Sequence, residues 1–156
     1  MPIPREKLRL SASELDELLA TERTARVATA GPDGVPHVIP MWFVWRDGVM
    51  WVNSLIRSRR TRDITHGSQA AVCVDAGTEY AELRGAVLYG RFEPADDAPE
   101  LEVVREEFGR RYWGGVTVPP VRSHTWLRLK PERIVSWDFR KIPSGADRRL
   151  DALEKH

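Results

Sequence analysis

"RVATAGPDGVPHVIPMWFVWRDGVMWVNSLIRSRRTRDITHGSQAAVCVD", residues 26–75, alternates short β-forming runs with turn signals. "RVATA" runs into "GPDG", whose proline, aspartate and glycines mark a tight turn. "VPHVIPMWFVW" (35–45) reads as one long strand closed by "RDG", and "VMWVNS" (49–54) as its hairpin partner. "RRTRDITHG" (59–67) predicts a helix of one or two turns stopped at Gly67, and "QAAVCVD" (69–75) a further strand. Short strands joined by tight turns predict an antiparallel, mainly β fold.

The flanks extend this pattern. Upstream, "LSASELDELLA" predicts an amphipathic helix opened by a Ser11–Glu14 capping box. Downstream, "YAELRGAVLYGRFEP" adds strand, with Gly85 and Gly90 expected at bends or bulges. "DDAPELEVVREEFGRRYW" reads as a second longer helix, acidic early and arginine-rich late, as the macrodipole favours. "GGVTVPP" is a loop, and "RSHTWLRLKPERIVSWDF" gives one or two last strands interrupted at Lys130–Pro131. The end, "DRRLDALEKH", is polar and is expected to fray or form a short surface helix. There is no internal repeat and no linker. Residues 1–156 read as one domain, with a core over about 11–140 and a polar C-terminal tail over 141–156. A small closed or partly open β-barrel with peripheral helices accommodates this order of elements.

Composition narrows the function classes. Apolar residues at 42% and charged residues at 30% describe a soluble globular chain, and a net charge of +1 offers no global field for nucleic acid. No apolar run approaches the ~20 residues of a membrane span, and "MPIPREK" lacks a signal-type apolar region. The lone Cys73 in "AAVCVD" reads as a buried structural thiol. These features predict a reduced, cytoplasmic protein. Core packing accounts for most of the six tryptophans. Trp42, Trp45, Trp51 and Trp137 together nevertheless exceed what a small barrel readily buries, which predicts an interface.

Two local features point to a ligand. Pro36 and Pro40 lie at even separation in one predicted strand, so both remove donors from the same edge and leave only the Val38 amide between them. That strand is expected along an opening or edge. It either guards against aggregation or leaves main-chain groups free for a flat, hydrogen-bonding ligand. Next, Arg57, Arg59, Arg60 and Arg62 fall within six positions, after Asn53 and Ser54 and around Ser58. Forked guanidiniums, hydroxyls and amides at a helix start suit a phosphate, whereas a solvated arginine turn is the alternative. No glycine-rich P-loop is present.

In this order, "RVATA…CVD", the "DG-x-P" turn, the polar strand end, "SRR" (58–60), "YAELRGAVLYGRFEP" and "RIVSWD" resemble the pyridoxamine 5′-phosphate oxidase-like superfamily over roughly residues 11–140. The resemblance implies an FMN-binding split β-barrel of antiparallel Greek-key type. It implies that Asn53, Ser54, Ser58, Arg59 and Arg60 hold the cofactor phosphate. Main chain of His37, Val38, Ile39, Pro40 and Met41 would face the ring. It also implies a homodimer with sites at the interface, where Trp137 comes from the partner. The stretch after Trp137, "DFRKIPSGADRR", lacks the arginine- and histidine-rich element of true pyridoxamine phosphate oxidases. The expected activity is therefore hydride transfer between FMN, or the deazaflavin coenzyme F420, and a small organic substrate. The anionic tail of the deazaflavin would also suit Arg57 and Arg62, and both cofactors remain open. The alternative is a non-catalytic flavin, haem or tetrapyrrole binder on the same fold.

Other chemistry finds little purchase. His37, His66 and His124 lack metal-ligand spacing, no nucleophile elbow occurs, and no catalytic side chain is assigned. Neither a membrane nor a nucleic-acid partner is expected.

Overall fold

The computed structural model describes residues 4–143. A 3-10 turn (Arg5–Leu8) leads to α1 (Ala12–Thr21), capped as the sequence predicts: Glu14 N–H donates to Ser11 Oγ at 3.2 Å, and Ser11 N–H donates to the Glu14 carboxylate at 2.7 Å. Then follow β1 (Ala25–Ala30), β2 (Pro36–Met41), β3 (Val44–Arg46), β4 (Val49–Leu55), α2 (Arg59–Thr65), β5 (Ala70–Ala76), β6 (Arg84–Gly90), β7 (Phe92–Pro94), α3 (Leu101–Tyr112), β8 (His124–Leu129) and β9 (Arg133–Asp138). Asp47 and Gly48 turn the β3–β4 hairpin with φ of 50° and 75°, the positive pair that an Asp-Gly hairpin turn requires.

The strands form two antiparallel sheets, β2-β1-β5-β6-β9 and β3-β4-β8-β7, which face each other without closing: a split barrel. Val27, Val72, Val74 and Leu88 from the first sheet meet Met50, Val52, Leu127 and Leu129 from the second. Leu18 and Leu19 of α1 join the same core. A second cluster lies outside the four-stranded sheet, where Val104 and Phe108 of α3 cover Val44, Trp51 and Trp126. Arg111 of α3 donates to the carbonyls of Ala20 (2.8 Å) and Glu22 (2.6 Å), satisfying orphan acceptors at the end of α1.

Several details differ from the sequence reading. The stretch 35–45 is two strands in different sheets, broken at Trp42–Phe43. The break is satisfied from far away in sequence: Phe43 N–H donates to Tyr112 Oη at 3.2 Å, and Trp42 stacks on the Tyr112 ring at 4.7 Å. The strands in 84–94 likewise belong to different sheets, with the change at Gly90–Arg91. Gly85 sits in regular register between Asp75 and Trp137, not at a bend, and its missing side chain makes room for the Trp137 indole. Cys73 is half-buried on the outer face of its sheet, and burial, then Asp75, pushes its thiol pKa up. Trp51 is buried beneath α3, and Trp45 is half-buried with its indole N–H on Asp16.

Lys141, at the start of the expected polar tail, donates to the Arg9 carbonyl and the Glu14 carboxylate, each at 2.6 Å. The surface helix expected further on lies outside the described residues. Among the described residues no helix is long and apolar enough to cross a membrane.

Candidate functional site

Ser58 starts the site. Its backbone is extended and its Oγ accepts the Thr61 N–H at 3.3 Å, so it caps α2 and fixes which way the next turn faces. That turn points Arg60, Thr61, Asp63 and Ile64 inward and leaves Arg57 and Arg62 in solvent. Thr61 is the hub. Its Oγ1 donates to the Leu55 carbonyl at 2.9 Å and lies 2.8 Å from Ser54 Oγ and 3.0 Å from Ser58 Oγ. The end of β4 and the start of α2 thereby become one rigid corner.

Arg60 occupies that corner at 9% exposure. Its Nε donates to Ser54 Oγ at 2.9 Å, and burial pulls its pKa below the usual value, although a guanidinium remains charged. Among the described residues no carboxylate lies within 4.0 Å of it, and its Nη groups have no protein acceptor. The Nη groups are not sealed from solvent, so the largely buried side chain presents its unpaired guanidinium end at the surface of the corner, where desolvation is only partly offset. An anion arriving from solution would supply the missing partner through charge-assisted hydrogen bonds. The residues present therefore fit a phosphate.

Arg59 links this corner to β2. Its Nη2 donates to the Val35 carbonyl at 3.1 Å and stands 4.0 Å from the Asp33 carboxylate, so the arginine segment abuts the head of the proline strand. β2 is an edge strand, as the two prolines require. In its register with β1, Pro36, Val38 and Pro40 fall opposite Ala30, Ala28 and Arg26. Since a proline has no N–H, the inner ladder must use His37, Ile39 and Met41. The free edge then carries the Pro36, Val38 and Pro40 carbonyls and the single Val38 amide.

The fold brings together Ser54, Ser58, Arg59 and Arg60, and places the 37–41 strand beside them. Asn53 is not among them. It pairs with Trp126 on the face that α3 covers, opposite to the face of Ser54. Trp137 is on β9, at the other edge of the five-stranded sheet from β2. His37, His66 and His124 lie on β2, after α2 and at the head of β8, on separate elements. Sequence reasoning missed Thr61, although its position three residues after the capping Ser58 was a usable signal. It also missed Asp63 and Thr29, which meet only in three dimensions: Thr29 Oγ1 donates to Asp63 Oδ2 at 2.9 Å.

A cavity of about 460 Å³ lies elsewhere, on the outer face of the five-stranded sheet over Ala28, Ala30 and Ala71. Arg60 does not line it. Charge and hydrogen bonding, not volume, single out the corner at Arg60.

Comparisons with known proteins agree with this architecture. Residues 11–138 match the family model described as pyridoxamine 5′-phosphate oxidase. Among solved structures, a conserved hypothetical protein from Mycobacterium tuberculosis is 26% identical, with a TM-score of 0.78 over 90% of this chain and 92% of that one. The FAD and heme binding protein from Mycobacterium smegmatis is also 26% identical, with a TM-score of 0.69 over 94% of this chain and 80% of that one. A structure described as F420 reductase shares the fold at 22% identity, with a TM-score of 0.60 over 77% of this chain and 94% of that one. No curated protein matches the chain.

Proposed function

Because the chain belongs to the pyridoxamine 5′-phosphate oxidase family, we propose that the corner at Arg60 holds the phosphate of a flavin-type cofactor and that the protein is an oxidoreductase acting on a small organic molecule. The observation that carries this reading is the largely buried Arg60 side chain, whose guanidinium has no counter-ion among the described residues and opens to solvent. Ser54 orients the guanidinium, Ser58 and Thr61 fix the helix that carries it, and Arg59 stands ready at the rim. The free edge of β2 offers alternating carbonyls and the Val38 amide to the heteroatoms of a flat ring. A bound FMN or deazaflavin would supply the hydride chemistry, and the chain would supply position and electrostatics. The clamp serves the phosphomonoester of FMN and the phosphodiester of F420 equally, and the exposed Arg57 and Arg62 favour a cofactor with further negative charge. Pyridoxamine phosphate itself is not the substrate in this reading.

One chain offers an open edge rather than an enclosed pocket. The reading therefore includes a twofold homodimer, with the partner supplying Trp137 against the ring. Its support is the outer face of the five-stranded sheet, where Val38 and Val135 are exposed and, among the described residues, no helix lies over them. A second reading, a non-catalytic flavin or haem binder, draws support from the 26% identity to the FAD and heme binding protein. An absorption spectrum of the purified protein, followed by turnover with NAD(P)H or reduced deazaflavin, decides. A flavin or deazaflavin band with turnover supports the oxidoreductase. A Soret band, or a flavin band that never turns over, supports the binder.

A further inference from the structure

Arg60 and Asp63 are 9% and 6% exposed and stand three residues apart on α2, a spacing at which opposite charges ordinarily pair. They do not pair. Arg60 Nε is drawn to Ser54 Oγ on β4 at 2.9 Å, and Asp63 Oδ2 is drawn to Thr29 Oγ1 on β1 at 2.9 Å. The two side chains thus sit about one helical turn apart without pairing, although a direct pair would offset part of their desolvation. Among the described residues the Thr29 hydroxyl is the one side-chain donor on Asp63, and Thr29 is itself buried. The turn after β1 packs against the other carboxylate oxygen: a Cβ added at Gly31 would come 3.0 Å from Asp63 Oδ1. The carboxylate is held on the side of the five-stranded sheet.

We infer that Thr29 is a positioning residue for the anion site: its hydroxyl keeps Asp63 from turning to Arg60 and so keeps the guanidinium available to an external anion. This rests on the proposed phosphate role of Arg60. Loss of the hydroxyl leaves a buried carboxylate oxygen without its donor, and the neighbouring guanidinium becomes its best partner. The external anion then competes with an internal one.

The test titrates FMN, and inorganic phosphate as a plain anion, onto the full chain and five variants: Arg60→Ala, Thr29→Val, Thr29→Ser, Asp63→Asn and the double Thr29→Val/Asp63→Asn. Thr29→Val should weaken both probes by about tenfold, the scale of one charge-assisted hydrogen bond. Thr29→Ser keeps the donor and should change affinity by less than about threefold. Asp63→Asn still accepts from Thr29 but removes a negative charge, so both probes should bind about two- to threefold more tightly. The double variant should recover at least the wild-type affinity, which a role in packing alone would not produce. A Thr29→Val loss that persists in the double variant overturns the inference, and so does an inert Thr29→Val. Should Thr29→Val fail to fold, Asp63→Asn decides: affinity at or below wild type overturns the inference. Arg60→Ala separates the two claims. Unchanged affinity there overturns the phosphate reading and this inference with it, whereas a loss there beside an inert Thr29→Val overturns the inference alone.

Discussion

On the outer face of the four-stranded sheet, Trp51 and Trp126 lie under α3 at 2% and 4% exposure; on the outer face of the five-stranded sheet, Val38 and Val135 stand at 64% and 44%. Both faces carry apolar side chains, but among the described residues a helix covers only the first. The covered face does its work in folding, through Phe108 against Trp126 at 5.4 Å and the close approach of Gly109 to the Val116 carbonyl. The other face carries Ala28, Ala71 and Val87 on the inner strands β1, β5 and β6, flanked by Val38 on the edge strand β2 and by Val135 and Trp137 on the edge strand β9. An apolar sheet face left bare beside an unpaired edge is where a second chain and a flat ligand can both add contacts.

Substitutions on the two faces should behave in opposite ways. The largest effect is expected under α3: Trp126→Ala should cost about 3–5 kcal/mol of stability in denaturant unfolding, because it opens a cavity in a closed cluster. A cost below about 1 kcal/mol there would erase the distinction between the faces. On the bare face, Val135→Asp should leave the monomer within about 0.5 kcal/mol while dissociating the dimer in analytical ultracentrifugation. Trp137→Ala should loosen dimer and cofactor together, since the two binding free energies are linked. A monomer at tens of micromolar that binds one cofactor tightly would contradict the interface role. Smaller still, Pro36→Ala and Pro40→Ala restore outward amides with no strand to receive them. Stability should change by less than about 1 kcal/mol and cofactor affinity by more, and a stability gain with untouched affinity would favour simple edge protection.

The smallest expected effect is pH-dependent and lies away from both faces. Hydrogen bonding and charge from Arg140 hold the buried Asp138 carboxyl below its usual range, and Lys141 and Ser11 do the same for Glu14. A carboxyl with a lowered folded pKa contributes stability above its unfolded pKa and loses that contribution as pH falls through the folded one. Acid should therefore weaken the end of β9 and the start of α1 first, and Asp138→Asn should flatten that part of the stability profile in urea titrations at pH 3–6.

What was legible in the sequence was local. The capping box at Ser11–Glu14, the Asp47–Gly48 turn, the stop at Gly67 and the edge position forced by two prolines all follow from chemistry within a few residues. Ser54, Ser58, Arg59 and Arg60 were legible for the same reason, since one turn of chain brings them together. The break at Trp42–Phe43 was not, because the hydroxyl that satisfies it belongs to Tyr112, 69 residues away. Strand alternation decides Asn53: one residue from Ser54, it faces α3. Asp63 read as an ordinary helix residue because nothing near it in sequence announces Thr29.

The role of Arg60 is decided by a calorimetric titration of FMN and F420 onto wild type and Arg60→Ala, with the exposed Arg62→Ala as control. Arg60→Ala should lose about 1.5–3 kcal/mol of affinity for whichever cofactor binds, with the fold intact and Arg62→Ala much less affected. Equal affinity in wild type and Arg60→Ala would rule out the phosphate role of Arg60.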